Sequence, residues 1–257
     1  ESDAFHVIVP SLPGYGLSGP TSERGWGPTR IARAFAELTK KLGYDRYGVQ
    51  GGDWGSIISR EICRVAPKNV TGCHITMLPG GPPGKSDDME DITDIEQQLL
   101  NRGAWYQADD NGYFRIQQTK PQTLGTGLND SPAGLLAWIT EKFYGWTDND
   151  GDLFSIIDKD KLLANVSLYW FTGTINSSTR IYYEMFKTLE PEFGATGETP
   201  VGVSVFPYEL MMPRKRWVED SMNLILWNEH AKGGHFASLE APEIFVEDVR
   251  ECFRGLR

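Results

Sequence analysis

The sequence predicts an α/β protein with a mostly parallel sheet, helices on both faces and a helical insertion. Three observations predict it. Short apolar runs of strand character alternate with stretches of helical periodicity up to residue 79, the alternation stops between residues 80 and 197, and strand-like runs return at 201–207 and 223–228. At 257 residues the chain can bury a substantial single core, so one domain carrying an insertion is expected rather than two independent units.

Each element has its own signal. Residues 6–9 (HVIV) read as a first strand, followed by the Pro- and Gly-rich loop PSLPGYGLSGP. Ile31, Phe35, Leu38 and Leu42 then recur at helical spacing, and Gly43 ends that helix. Residues 47–50 (YGVQ) read as a buried strand, and Ile57, Ile58 and Ile62 give the following helix an apolar face. Residues 70–78 (VTGCHITML) form another strand candidate. Loops and amphipathic helices fill the interval to 197, with helices expected over 132–146 (PAGLLAWITEKFYGW) and 166–186 (VSLYWFTGTINSSTRIYYEMF). VGVSVFP and NLILWN then restore the strand signal. The expected division is a core with its first part in 1–79 and its second in 198–257, and a helical lid in 80–197.

Composition excludes several function classes. An apolar content of 40% with 23% charged residues describes a globule. The net charge of −10 speaks against a nucleic-acid partner, since phosphate binding needs clustered Lys and Arg, and the short basic stretch 213–217 (PRKRW) is expected to be a solvated face. Cys63, Cys73 and Cys252 are odd in number and lack paired spacing, so neither a disulfide framework nor a zinc site is expected, and they read as small buried hydrophobes. No apolar run approaches the roughly 18 residues of a membrane span, and a cytoplasmic location is expected. The chain opens almost directly into a core-like strand, which predicts that N-terminal strands of the fold are missing from it.

The chemistry is concentrated in GVQGGDWGSII, residues 48–58, where a strand enters a glycine-rich turn and a helix leaves it. Gly51-x-Asp53-x-Gly55 has the form of a nucleophile elbow, in which the glycines permit a cramped turn and the central residue projects from the end of the sheet. A carboxylate there suits attack on saturated carbon, because it is charged at neutral pH and displaces a leaving group to form an ester. An Asp capping the helix that begins at Trp54 explains the pentapeptide equally well. The elbow, however, requires an acid and then a histidine later in the chain, each on a loop after a strand. Glu209 follows the 201–206 strand, and His235 follows the 224–227 strand within GGHFASLEAPE. His230 competes for the base, and Glu219, Asp220 and Glu229 for the acid. His6 and His74 read as residues packed in the core or at a sheet edge.

Five separated motifs, GGDWGS, NGYFRIQQTKPQTLGTGLNDSPAGLLAWITEKF, LYWFTGTINSSTRIYYE, FPYEL and GGHFASLEAPE, occur in an order that resembles the α/β-hydrolase-fold epoxide hydrolases of the microsomal and fungal branch. The resemblance runs from Asp3 to the C-terminus. It implies Asp53 as nucleophile, Glu209 as charge-relay acid, His235 as general base, the Trp54 backbone N–H as an oxyanion donor, and two lid tyrosines, Tyr113 and Tyr182, that hold the epoxide oxygen. Tyr183 is the neighbouring rival for the second. No metal and no organic cofactor is required. A haloalkane dehalogenase would share the Asp-Trp pair without the paired tyrosines, and a non-catalytic homologue or fragment that binds a ligand is the reading from another class.

The expected partners are a small apolar epoxide, a second copy of the chain in a homodimer, and an N-terminal segment or separate chain that completes the fold. The last follows from a departure: the resemblance implies a His-Gly-Trp-Pro segment supplying the second oxyanion donor, and the sequence has no His-Gly dipeptide. The strand leading into that segment would lie between HVIV and YGVQ. The roles implied are detoxification and aromatic hydrocarbon catabolism.

Overall fold

The computed structural model describes residues 3–256. Among them, β1 (Tyr47–Gly51), β2 (Val70–Ile75), β3 (Val201–Val205) and β4 (Leu224–Glu229) form one sheet in the order β1-β2-β3-β4, parallel throughout. Parallel neighbours require crossover connections, and the sequence supplies them. α1 (Pro28–Lys41) precedes β1, and α2 (Trp54–Val65) carries the chain from β1 to β2. β3 is buried at every position, as its unbroken VGVSV run requires of a strand covered on both faces.

The segment between β2 and β3 is helical. It contains α3 (Asp94–Trp105), a single π-helical turn over Tyr106–Asp110, α4 (Gly112–Thr119), α5 (Pro121–Asp130), α6 (Pro132–Trp146), α7 (Leu153–Ile156), α8 (Lys159–Thr172), α9 (Ile175–Ser178) and α10 (Arg180–Met185). After β4 come α11 (Ala237–Glu240) and α12 (Pro242–Arg254). The described chain packs as two compact units.

The sheet unit gathers residues 32–110, 146–148 and 192–256. In it α12 lies against the sheet so closely that a Cβ on Gly48 would sit 2.4 Å from Phe253, and one on Gly202 would sit 2.6 Å from Cys252 Sγ. Glycine at these positions is therefore a packing requirement. All three cysteines are free and buried.

The helical unit gathers residues 3–31, 111–145 and 149–191. Its core is Leu128, Leu135, Val166 and Ile175, with Trp138, Tyr169 and Trp170 against them. α5 meets α9 at Gly125, where a Cβ would lie 2.7 Å from Asn176 Cα.

Three expectations are corrected. Residues 6–9 form no strand: Val7 is 75% and Val9 86% exposed, and His6 is exposed rather than packed. The run 166–186 is not one helix, since Gly173 takes the left-handed conformation (φ 62°) and closes α8, with α9 and α10 following as separate turns. PRKRW is not a solvated face. Arg214 is 3% exposed, pairs with Glu96 at 3.0 Å and donates to the carbonyls of Asp88 and Asp91, while Trp217 is buried and its Nε1–H also donates to the Asp88 carbonyl.

Candidate active site

β1 ends at Gly51 and α2 begins at Trp54, leaving two residues for the turn. The close approach this demands falls on Gly51, where a Cβ would lie 2.1 Å from the carbonyl carbon and oxygen of Gly55. Asp53, at the apex, has φ 49° and ψ −128°, outside the regions an L-residue normally occupies. Such a conformation persists only where the surroundings hold it, and non-glycine residues so held cluster at functional sites. The same turn aims the Trp54 N–H at the Asp53 side chain, which accepts it through Oδ1 at 2.5 Å.

Glu209 and His235 come from the loops beyond the C-terminal ends of β3 and β4, the end where open α/β sheets place their ligands. The two loops are stitched together by a parallel bridge between Tyr208 and Gly234 and by the Tyr208 N–H donating to the Gly233 carbonyl. His235 spans the gap between two carboxylates: Nδ1 is 2.8 Å from Glu209 Oε1, and Nε2 is 2.9 Å from Asp53 Oδ2. Glu209 Oε1 also accepts the Leu210 N–H at 2.7 Å. His235 and Glu209 are buried, whereas the Asp53 side chain is 38% exposed, so of the three it is Asp53 that opens to solvent.

Burial acts on the imidazole first, pushing its pKa down. The Glu209 carboxylate and the hydrogen bonds to Asp53 and Glu209 outweigh it, and the pKa rises to about 10. His235 is therefore an imidazolium between two acceptors at neutral pH, with an N–H directed at each.

The competitors lie elsewhere. His230 is engaged away from Asp53 and Glu209: its Nε2 meets Asp248 Oδ2 at 2.5 Å, and its ring stacks on Phe206 with centroids 4.9 Å apart. His74 is fully buried, with Nε2 2.8 Å from Ser204 Oγ, which donates to Asp248. Glu219, Asp220 and Glu229 are exposed.

Tyr113 and Tyr182 belong to the helical unit, on α4 and α10. Their rings meet edge to face at 5.9 Å, Phe114 packs on Tyr182 at 5.2 Å, and the Lys142 ammonium lies 4.9 Å above the Tyr113 ring. Tyr113 is buried and Tyr182 half-buried; Tyr183 is 39% exposed, with Lys187 above its ring.

Sequence reasoning missed what surrounds His235. Its N–H donates to the Trp146 carbonyl at 3.0 Å, and its ring stands edge-on to the Trp146 indole at 5.0 Å. Trp146 sits 89 residues upstream in sequence (235 − 146), at the end of a helix whose periodicity marks it as one more apolar position. The only hint is the glycine pair before His235: a Cβ on Gly234 would lie 2.6 Å from the Trp146 carbonyl oxygen.

A parallel sheet with an acid on a strained strand-to-helix turn, and with an acid and a histidine on later strand-end loops, defines an α/β-hydrolase-fold protein. A family described as "alpha/beta hydrolase fold" matches residues 1–115. Within that fold the chain is similar to epoxide hydrolases. It is 47% identical over 257 residues to a provisionally named epoxide hydrolase of Stigmatella aurantiaca (strain DW4/3-1), covering 99% of this chain and 57% of the relative. It is 36% identical over 281 residues to epoxide hydrolase 1 of Sus scrofa, covering 100% of this chain and 61% of the relative. The solved epoxide hydrolase of Aspergillus niger superposes with a TM-score of 0.88 at 32% identity, over 98% of this chain and 64% of that one. The chain thus spans about three-fifths of the length of these relatives.

Proposed function

We propose that the protein opens a small apolar epoxide to a vicinal diol through an ester on Asp53. The observation that carries this reading is the single imidazole held between Asp53 and Glu209. The two oxygens of Asp53 divide the work. Oδ2 attacks a ring carbon and becomes the ester oxygen, while Oδ1, held by the Trp54 N–H, remains the carbonyl oxygen. As the ring C–O bond breaks, its electron pair goes to oxygen, which takes a proton donated through the phenols of Tyr113 and Tyr182. Their support is the shared aromatic cluster, in which Tyr182 rather than Tyr183 packs on Tyr113.

Ester formation removes the negative charge of Asp53, and with it two of the influences that hold the His235 proton. His235 then gives up that proton to solvent, from which the phenolate recovers its own, and, as a neutral base steadied by Glu209, accepts one from the water that adds to the ester carbonyl. The oxyanion so formed on Oδ1 meets the Trp54 N–H. Collapse releases the diol and restores the Asp53 carboxylate.

The same reading takes 80–197 as a lid, places the enzyme in the cytoplasm and allows a homodimer. It also gives β1, which pairs only with β2 among the described residues, a further strand from an N-terminal segment or separate chain that supplies the second oxyanion donor. An open row of backbone donors and acceptors on β1 supports that addition.

Racemic styrene oxide and 1-chlorobutane, assayed side by side with the purified protein, test the function. Diol from the epoxide and no chloride release is expected. Chloride release without diol would assign a dehalogenase, and neither product would leave a ligand-binding homologue.

A further inference from the structure

The two ring nitrogens of His235 face Asp53 and Glu209, but the backbone carrying the ring is fixed from another direction. Residues 146–148, which start at the last residue of α6, run alongside the loop 233–236 and are joined to it by two direct hydrogen bonds and by a bridge through the Glu240 carboxylate. The His235 N–H donates to the Trp146 carbonyl at 3.0 Å, and the Gly233 N–H to Asp148 Oδ2 at 2.9 Å. Glu240, on the turn of α11 just past the histidine, uses both carboxylate oxygens. Oε1 accepts the Phe236 N–H at 2.9 Å and Oε2 accepts the Asp148 N–H at 2.8 Å. The two acids thus clamp the segment to the loop from opposite ends, one bond on either side of His235.

The clamp is built for close tolerance. Gly233 has φ 99°, a conformation that an L side chain rarely adopts. Gly234 has no room for a Cβ, since one would lie 2.6 Å from the Trp146 carbonyl oxygen, 2.9 Å from Tyr208 Cβ and 3.2 Å from Glu240 Oε1. Trp146 is itself pinned, with its indole N–H donating to Asp110 Oδ2 and Tyr106 edge-on to its ring at 6.3 Å. It stacks on Phe236 as well as meeting His235.

We propose that Asp148 and Glu240 are positioning residues for His235, setting where its Nε2 stands relative to Asp53. Neither acid touches the reacting atoms; each acts through the loop that carries the base. This rests on the reading of His235 as the base of ester hydrolysis, and it inherits a signature from that role. Attack by Asp53 on the epoxide does not use His235 as a base, whereas hydrolysis does, so loosening the clamp slows the second step alone. In steady state kcat and KM then fall together while kcat/KM holds, because kcat/KM contains only binding and ester formation.

Rapid quenching with styrene oxide, followed by intact mass, reads both steps in the full chain. Glu240→Gln sets an amide N–H₂ against one of the two backbone N–H groups it accepts, and Asp148→Ala removes the acceptor from the Gly233 N–H. In each, ester formation is expected at the parent rate and ester hydrolysis up to about 100-fold slower, the scale of a small misplacement of a catalytic group. His235→Ala run in parallel separates this proposal from the reading beneath it. If that variant accumulates ester while the two acid variants hydrolyse it at the parent rate, the clamp is not a positioning device. If it accumulates none, the base assignment fails and the proposal falls with it. Equal slowing of both steps, or loss of cooperative folding in both acid variants, assigns the clamp to the fold alone and overturns the proposal.

Discussion

His235 Nε2 stands 2.9 Å from Asp53 Oδ2, so the proposed nucleophile and the proposed base share one hydrogen bond. A base whose pKa is raised to about 10 is protonated when the cycle starts and must lose that proton to act. In the proposed cycle, neutralising Asp53 releases it. Asp53→Asn mimics the uncharged ester, and in that variant the His235 imidazole should titrate below its parent value when followed by NMR. An unchanged midpoint would separate the two groups electrostatically and remove the coupling between the two half-reactions.

The same shift carries a stability prediction with a definite sign. His235 has a folded pKa above its unfolded value of 6.5, so its contribution is fully present below 6.5 and is lost as pH rises toward about 10. Denaturant midpoints of the parent should fall across that window more steeply than those of His235→Gln. Parallel curves would contradict the pairing.

His74 predicts the opposite limb. Burial first, with His230 adding to it and Asp248 opposing, lowers its pKa to about 4, so its neutral form is favoured by folding. That stability is present above 6.5 and lost as pH falls toward 4. Because Ser204 donates to Asp248, His74 Nε2–H is the donor to Ser204, and His74→Gln can keep a donor there without titrating. The variant should lose less stability between pH 6.5 and 4, by a few kcal/mol at about 1.4 kcal/mol per pKa unit. An equal loss would mean that other groups govern the acid limb.

The elbow glycines are predicted to behave unequally. A Cβ at Gly51 meets the Gly55 backbone at 2.1 Å, and backbone cannot move aside without displacing α2, so Gly51→Ala should abolish ester formation and lower the unfolding midpoint. At Gly55 nothing lies within 4 Å and the position is helical, so Gly55→Ala should stabilise by about 0.5–1 kcal/mol. Thermal melts of the pair check this, and equal destabilisation would contradict it.

Much of this was legible in the sequence, for a physical reason. Strand β3 and the strand–turn–helix at Asp53 are set by local pattern, since unbroken β-branched runs and glycine at cramped turns have few other uses. Glu209 and His235 were legible because each follows such a strand. The clamp was not, because Asp148 and Glu240 act through backbone N–H groups that any residue carries and so leave no residue-type signature. HVIV failed in the other direction: its side chains favour a strand, but a strand also needs a neighbour, which composition does not reveal.

For the tyrosines, the prediction concerns the first step alone. Tyr113→Phe and Tyr182→Phe each remove one donor to the departing oxygen, and the loss of one such donor slows the step on the order of 100-fold. Stopped-flow ester formation should show this in both, with Tyr183→Phe near the parent. Parent rates at Tyr113 and Tyr182 would eliminate the pair, and a defect at Tyr183 instead of Tyr182 would move the role by one residue.

The central claim is that Asp53 becomes an ester that His235 and water must clear. Intact mass of His235→Ala, quenched shortly after mixing with styrene oxide, tests it most directly. A species heavier by one substrate mass is expected, with the adduct mapped by peptide digestion to Asp53 and absent from Asp53→Ala. An unmodified His235→Ala chain, or an Asp53→Ala variant that turns over epoxide at the parent rate, would contradict it.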